Sequence, residues 1–154
     1  MATAVICEFN PFHNGHKYLL ESAKKVLKEP IIAIMSGSFT QRGEVAVCDK
    51  FVRAKSALEN GADLVLELPV VFSLSGAEGF ARAGVAIASA FDCTNHLAFG
   101  SESGDCELLK RSANAVCDER VQALVRDGMK NGGYYPRELE SAVKAVFGDG
   151  VSSV

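Results

Sequence analysis

A chain of 154 residues has the length of one domain and can bury about two thirds of its unfolded surface. Its composition, 48% hydrophobic and 23% charged, is typical of an α/β protein and excludes a disordered or fibrous class. A net charge of −3 argues against a broad nucleic-acid-binding surface.

Hydrophobic periodicity predicts alternating strands and helices, which is the pattern of a parallel sheet covered on both faces. The predicted strands are residues 5–9, 31–35, Leu64–Leu68 and 96–99. The first predicted helix begins at His16, the second is capped by Asp49 and stopped at Asn60-Gly61, and the third covers residues 77–91. Three further helices are predicted at residues 105–116, Glu119–Lys130 and 136–147.

No predicted element is long and apolar enough for a bilayer, and the N-terminus lacks the basic region of a signal peptide. We therefore expect a cytoplasmic protein. The cysteines form no C-x-x-C pair and show no metal-ligand spacing with the histidines, so we expect neither a disulfide nor a metal site. We expect these residues to be small buried hydrophobic groups: Cys7, Cys48, Cys93, Cys106 and Cys117.

The most informative stretch is Asn10-Pro11-Phe12-His13-Asn14-Gly15-His16, between the first strand and an amphipathic helix. Its two imidazoles stand at the first helical turn, where unpaired N–H groups and the helix dipole favour a phosphate. An imidazole there can stabilise charge on a phosphorus during displacement, and Gly15 allows a ligand to approach the backbone. The alternative is two surface histidines beside a turn, and H-x-G-H alone favours neither interpretation. The flanking strand and helix favour a nucleotide site.

Two other segments, residues 36–44 and 100–104, follow predicted strands at the edge where open α/β sheets bind ligands. We expect them to line one crevice with the H-x-G-H turn. Arg42 is the better candidate for neutralising a polyphosphate, whereas Lys50 and Arg53 are interpreted as a solvated helix face. Glu67 lies in a predicted buried strand and needs a partner such as a backbone amide. Neither a G-x-G-x-x-G nor a P-loop motif is present.

The ten residues from Cys7 to His16 resemble the G-x-F-D-P-x-H-x-G-H turn of HIGH-type nucleotidyltransferases, with Cys7 and Asn10 replacing the usual glycine and aspartate. Four further segments continue a match to the bacterial tRNA(Met) cytidine acetate ligase family. They are MSGSFTQRGE at 35–44, Asp49-Lys50 with Arg53-Ala54, GADLVLELP at 61–69 and FGSE at 99–102. The chain is thereby identified as resembling the N-terminal part of that family.

The resemblance implies a Rossmann-like parallel sheet and a two-step reaction. ATP and acetate give acetyl-adenylate and pyrophosphate, and the acetyl group then passes to N4 of the wobble cytidine of elongator tRNA(Met). His13 and His16 would be the catalytic residues that contact the phosphates, with Mg²⁺ accompanying ATP and no covalent nucleophile. The implied ATP-binding residues are Ile6, Cys7, Glu8, Phe9, Asn10, Pro11, Phe12, His13, Asn14, Gly15, His16, Lys17, Tyr18, Leu19 and Gly100.

Two alternatives stay open: an adenylyltransferase of coenzyme A or NAD biosynthesis, and a non-catalytic nucleotide-binding remnant. The resemblance implies a nucleotidyltransferase core at residues 1–104 and a helical extension of the same domain at 105–154. Residues 148–154 contain no closing helix or strand and look like a truncation. We therefore expect this chain to be inactive alone in tRNA acetylation.

Overall fold

The computed structural model describes residues 1–148, so the predicted truncation at 148–154 lies, apart from Gly148, outside the described residues. The chain divides into two compact units, Met1–Gly100 and a second that begins at Ser101. The elements of the first unit are β1 (Ala2–Cys7), α1 (Asn14–Leu27), β2 (Ile31–Ser36), α2 (Lys50–Glu59), β3 (Leu64–Leu68), α3 (Val70–Ser73), α4 (Ala77–Ser89) and β4 (Thr94–Leu97). The boundary at 104 remains a prediction.

The strands form one parallel sheet in the order β3-β2-β1-β4. Because the chain steps outward from β1 to β3 and then returns to the other side of β1, the strand order reverses at β1. The carboxyl end of β1 is therefore where a ligand is expected in an open α/β sheet. The predicted α/β class and Rossmann-like parallel sheet are confirmed.

Helices cover both faces of this sheet because alternate strand residues point to opposite sides. One face packs against α1 and α2 through a buried cluster that includes Val5, Ala33, Met35, Leu20 and Ala57. The other face packs against α4 through Ala4, Ile32, Ile34, Ala83 and Ala88. Two hydrophobic cores therefore hold the end of β1 between α1 and α4.

The close approach of α4 to β1 requires a glycine. A Cβ at Gly84 would lie 2.6–2.8 Å from three side-chain carbons of Ile6. We expect Gly84→Ala to lower the free energy of unfolding by about 1–3 kcal/mol, exceeding the ~1 kcal/mol gain in helix propensity. Urea unfolding measures the change. In an Ile6→Ala background the penalty should vanish, and an equal penalty in both backgrounds would contradict this packing.

Several predicted boundaries were wrong. The first strand ends at Cys7 and not at residue 9, because Phe9 has a φ of 46°, outside the range of a strand. The last strand is Thr94–Leu97 and not 96–99, and α4 ends at Ser89 and not at 91. The short α3 was not predicted.

The prediction that Leu64–Leu68 is a buried strand was also wrong. β3 is an edge strand that pairs only with β2, so Leu64 and Glu67 are exposed. Phe72, which follows this strand, is exposed as well, whereas Phe80 on α4 packs against the buried cluster between α4 and the sheet. His96 lies on the opposite edge strand and pairs with Glu29 at 3.0 Å.

The second unit contains three described helices, α5 (Cys106–Cys117), α6 (Glu119–Lys130) and α7 (Tyr135–Phe147), in agreement with the predicted ones. Asp105 and Asp118 cap the first two by accepting backbone N–H bonds. Their shared core is Ala115, Val121, Val125, Ala142 and Val143. No helix within residues 1–148 is long and apolar enough to cross a membrane.

The prediction that all five cysteines are buried was wrong for three of them. Cys106 and Cys117 are the end residues of α5, and Cys93 lies in the turn before β4. Helix ends and turns face solvent, and all three are exposed. Cys7 and Cys48 are half-buried.

Candidate functional site

Two histidines form the first turn of α1. His13 is the N-cap, and its Nδ1 accepts a hydrogen bond from the Gly15 N–H at 3.1 Å. The backbone N–H of His13 donates to Nδ1 of His16 at 3.3 Å. A neutral imidazole that accepts at Nδ1 carries its proton on Nε2. These hydrogen bonds therefore leave both histidines with an Nε2–H donor for a ligand.

Aromatic contacts fix the two rings. The imidazoles of His13 and His16 stack with centroids 3.6 Å apart and an angle of 23° between planes. Phe9, only 1% exposed, packs against His16 at 4.9 Å, and Phe12 lies 5.6 Å from the same ring. Partial burial, and then the nearby His13, lower the pKa of His16. The stacked pair is thus pre-organised with His16 neutral near pH 7.

This lowered pKa predicts a pH dependence of stability. An unfolded His16 titrates near 6.5, so below that pH the unfolded chain binds more protons than the folded one. The contribution of His16 to stability is complete above pH 6.5 and is lost as the pH falls through its lower folded pKa. Urea midpoints between pH 7.5 and 5 should fall more steeply for the wild type than for His16→Gln. Parallel profiles would show that His16 is not so perturbed.

Gly15 makes room for the His13 side chain. A Cβ at this position would lie 3.0 Å from Cε1 and 3.2 Å from Nδ1 of His13. From the sequence, Gly15 was predicted to let a nucleotide approach the backbone. The structure shows that glycine also lets the His13 ring fold back onto the helix start.

The long loop after β2 is an ordered hairpin, which we define as residues 38–46. The Ala46 N–H donates to the Ser38 carbonyl, and the Thr40 N–H to the Glu44 carbonyl, each at 2.9 Å. Gly43 completes the turn with a φ of 80°. The hairpin therefore holds Arg42 at an exposed turn.

Two side chains between β1 and the H-x-G-H turn, those of Glu8 and Asn10, anchor this hairpin and the residue after it. The Glu8 carboxylate accepts a hydrogen bond from the Gln41 N–H at 2.6 Å, and the Asn10 side-chain oxygen accepts one from the Val47 N–H at 2.7 Å. Glu8 and Asn10 were predicted as ATP-binding residues. In the structure these oxygens position the hairpin beside the H-x-G-H turn.

Arg53, on α2, connects the end of β1 to the start and the end of the loop between β2 and α2. Its side chain is 1% exposed, and its guanidinium donates to the carbonyls of Cys48 at 3.2 Å, of Glu8 at 2.5 Å, and of Gly37. The interpretation of Arg53 as a solvated residue was wrong. Its spacing of four residues from the buried Ala57 was the available signal, because such positions share one helix face.

Lys50 and Glu67 form an ion pair at the ends of α2 and β3. Their Nζ and Oε2 atoms lie 2.6 Å apart, and both side chains are partly exposed. The predicted backbone amide is therefore not the partner of Glu67 here. Gly37 leaves room for this carboxylate, since a Cβ there would overlap the Glu67 side chain.

A cavity of about 500 Å³ opens at the carboxyl end of β1. Of the predicted ATP-binding residues it is lined by Ile6, Cys7, Glu8, Phe9, Asn10, Pro11, His13, His16 and Leu19. The predicted residues that do not line it are Phe12, Asn14, Gly15, Lys17, Tyr18 and Gly100. Val5, Gln41 and Phe80 line it without having been predicted. The 36–44 segment therefore contributes one residue, Gln41, to the cavity that the H-x-G-H turn also lines.

The cavity is poor in fixed positive charge, because none of its described lining residues is a lysine or arginine. Burial raises the pKa of the Cys7 thiol well above its usual range. The thiol is consequently protonated and lies 3.7 Å from the Ile34 carbonyl, so it is no candidate for a nucleophile. Apart from this thiol, the polar side chains that line the cavity are those of Glu8, Asn10, His13, His16 and Gln41.

Comparison with known proteins matches residues 1–153 to the HIGH Nucleotidyl Transferase family model. The chain is 45% identical over 141 residues to a tRNA(Met) cytidine acetate ligase of Lysinibacillus sphaericus, covering 90% of this chain and 35% of that protein. It is also 45% identical over 143 residues to the enzyme so named from Thermotoga maritima, covering 91% and 34%. The chain spans about a third of the length of these relatives.

A solved structure is also similar. The crystal structure of Thermotoga maritima TmcAL bound with alpha-thio ATP (form II) superposes with a TM-score of 0.90 at 42% identity. The match covers 99% of this chain and 38% of that one. The predicted family resemblance, restricted to an N-terminal part, is confirmed.

Proposed function

This chain belongs to the HIGH nucleotidyl transferase family, and on that premise we propose that it binds ATP in the β1 cavity and activates acetate as an adenylate. The observation that carries the proposal is the pair of imidazoles at the N-terminus of α1, each accepting a backbone N–H at Nδ1. The solved TmcAL structure, bound with alpha-thio ATP, supports a nucleotide as the ligand.

In the first proposed step, a carboxylate oxygen of acetate attacks the α-phosphorus of ATP. The bond to the β-phosphate breaks, pyrophosphate leaves, and acetyl-adenylate forms. The Nε2–H groups of His13 and His16 would donate to phosphate oxygens as negative charge shifts to the leaving group. No side chain forms a covalent bond, so the protein acts by positioning and by stabilising charge.

In the second proposed step, N4 of the wobble cytidine of elongator tRNA(Met) attacks the acetyl carbonyl. The bond to AMP breaks, AMP leaves, and N4 loses a proton. The names of the relatives support this acceptor, and the reaction would take place in the cytoplasm with the tRNA.

Mg²⁺ would accompany the nucleotide. Within residues 1–148, no group of three or more histidine, cysteine, aspartate or glutamate side chains is arranged to hold a metal. Mg²⁺ is commonly held by substrate phosphates and water with few protein ligands, and this arrangement fits the site.

We further propose that the chain alone binds ATP weakly and does not acetylate tRNA. The lining of the β1 cavity supplies no lysine or arginine, and each charge-assisted hydrogen bond to phosphate that is missing costs about 1.5–3 kcal/mol. With a net charge of −3, the chain also offers little counterion release to drive contact with RNA.

Calorimetric titration with ATP tests the nucleotide site, and pyrophosphate release tests the chemistry. Release with acetate, but not with phosphopantetheine or nicotinate mononucleotide, would support acetate activation over an adenylyltransferase of coenzyme A or NAD biosynthesis. ATP binding without turnover would favour a non-catalytic remnant. Label transfer from acetate to elongator tRNA(Met) by this chain alone would overturn its proposed inactivity.

A further inference from the structure

A second cavity lies at the carboxyl ends of β2 and β3, with a volume of about 140 Å³. Its lining includes the apolar residues Met35, Ala54 and Val65, the Phe51 ring, and the Lys50–Glu67 ion pair. This cavity shares no lining residue with the β1 cavity.

The two cavities are neighbours. Glu8 lines the β1 cavity and Gly37 lines the second one. The guanidinium of Arg53 donates through Nη1 to the Glu8 carbonyl and through Nη2 to the Gly37 carbonyl. One planar group thus links the walls of both cavities, at the sheet edge where ligands of a parallel sheet bind.

The second cavity suits a small carboxylate. A water molecule occupies about 30 Å³ in the liquid, so a space of this size holds only a few heavy atoms and excludes a nucleoside. Its apolar side chains suit a methyl group. Its ammonium group, Lys50 Nζ, has three N–H donors and already holds the Glu67 carboxylate at 2.6 Å.

We propose that this second cavity binds the acetate that is activated, with the carboxylate on Lys50 and the methyl group against Ala54 and Val65. The inference rests on the proposed function, since it supplies the second substrate of the same reaction. The Glu67 carboxylate accepts one N–H of Lys50 and positions the ammonium group at the cavity, which leaves two N–H donors to offset the repulsion between the two carboxylates. The small volume selects acetate over longer carboxylic acids.

The test is a titration of the ¹⁵N-labelled chain with sodium acetate, with and without ATP, followed by amide chemical shifts. Acetate should shift the amides of Lys50, Ala54 and Val65. Lys50→Gln should weaken acetate binding at least about tenfold, as expected for a lost charge-assisted hydrogen bond. Ala54→Leu should abolish binding by filling the cavity. ATP affinity should be unchanged in both variants.

Lys55→Gln is the matched control, because Lys55 lies on the same helix, is 75% exposed and pairs with Glu59. It should bind acetate like the wild type. Butyrate should bind the wild type far more weakly than acetate. This comparison tests the size limit of the cavity even if Ala54→Leu does not fold. Acetate shifts that are absent, or that persist in Lys50→Gln, would overturn the acetate site while ATP binding stands. Failure to bind ATP would instead overturn the proposed nucleotide function.

Discussion

Replacing Arg53 by methionine should lower the free energy of unfolding by about 3 kcal/mol or more. Methionine fills much of the space of the buried arginine side chain, but it leaves three backbone carbonyls without their guanidinium donor. An unsatisfied acceptor costs about 1–3 kcal/mol when it is buried, as the Gly37 carbonyl is, and the partly buried carbonyls of Cys48 and Glu8 add to this. Urea unfolding of the two proteins measures the difference.

The control is Arg82→Met on α4, where the arginine is 80% exposed and pairs with Glu78. It should change stability by less than about 1 kcal/mol. Because Arg53 joins Glu8 to Gly37, the ATP affinity of the folded Arg53→Met protein should also fall. If Arg53→Met were no more destabilised than Arg82→Met, the buried guanidinium would not hold these segments together.

The features of the fold that could be predicted from the sequence are those that depend on residues close together in the chain. Apolar runs marked β2 and β3, and Asp49 marked the start of α2, because strand burial and helix capping depend on residues a few positions apart. The H-x-G-H turn was placed at a helix start by the same local logic, and the structure puts His13 at the N-cap. The roles of His13 and His16 toward a nucleotide remain predictions.

What could not be predicted depends on residues far apart in the chain. Glu8 meets Gln41 across 33 positions, and Arg53 meets Glu8 across 45. Neither spacing repeats or matches a helical or strand period. The edge position of β3 also depends on strand order, which periodicity does not specify, and it changed Glu67 from a predicted buried residue into an exposed partner of Lys50.

The second large effect is expected at the imidazole pair. His16→Ala should reduce acetate-dependent pyrophosphate release by ~10²–10³, the usual cost of losing one pre-organised donor to a developing charge. The variant also removes the Nδ1 acceptor of the His13 N–H, which costs about 1 kcal/mol of helix stability. Folding should therefore be weakened far less than activity.

His96→Gln is the matched control, since His96 lies on β4 and bonds to Glu29 outside the β1 cavity. Its ATP affinity and pyrophosphate release should equal those of the wild type. In His16→Ala, ATP affinity should fall about tenfold or more, by the loss of a charge-assisted hydrogen bond. His13→Ala should also reduce ATP affinity and pyrophosphate release, because Nδ1 of His13 accepts the Gly15 N–H and leaves its Nε2–H as a second donor. A folded His16→Ala protein with normal ATP affinity and pyrophosphate release would show that the imidazoles only cap α1, and that phosphate is held by other groups.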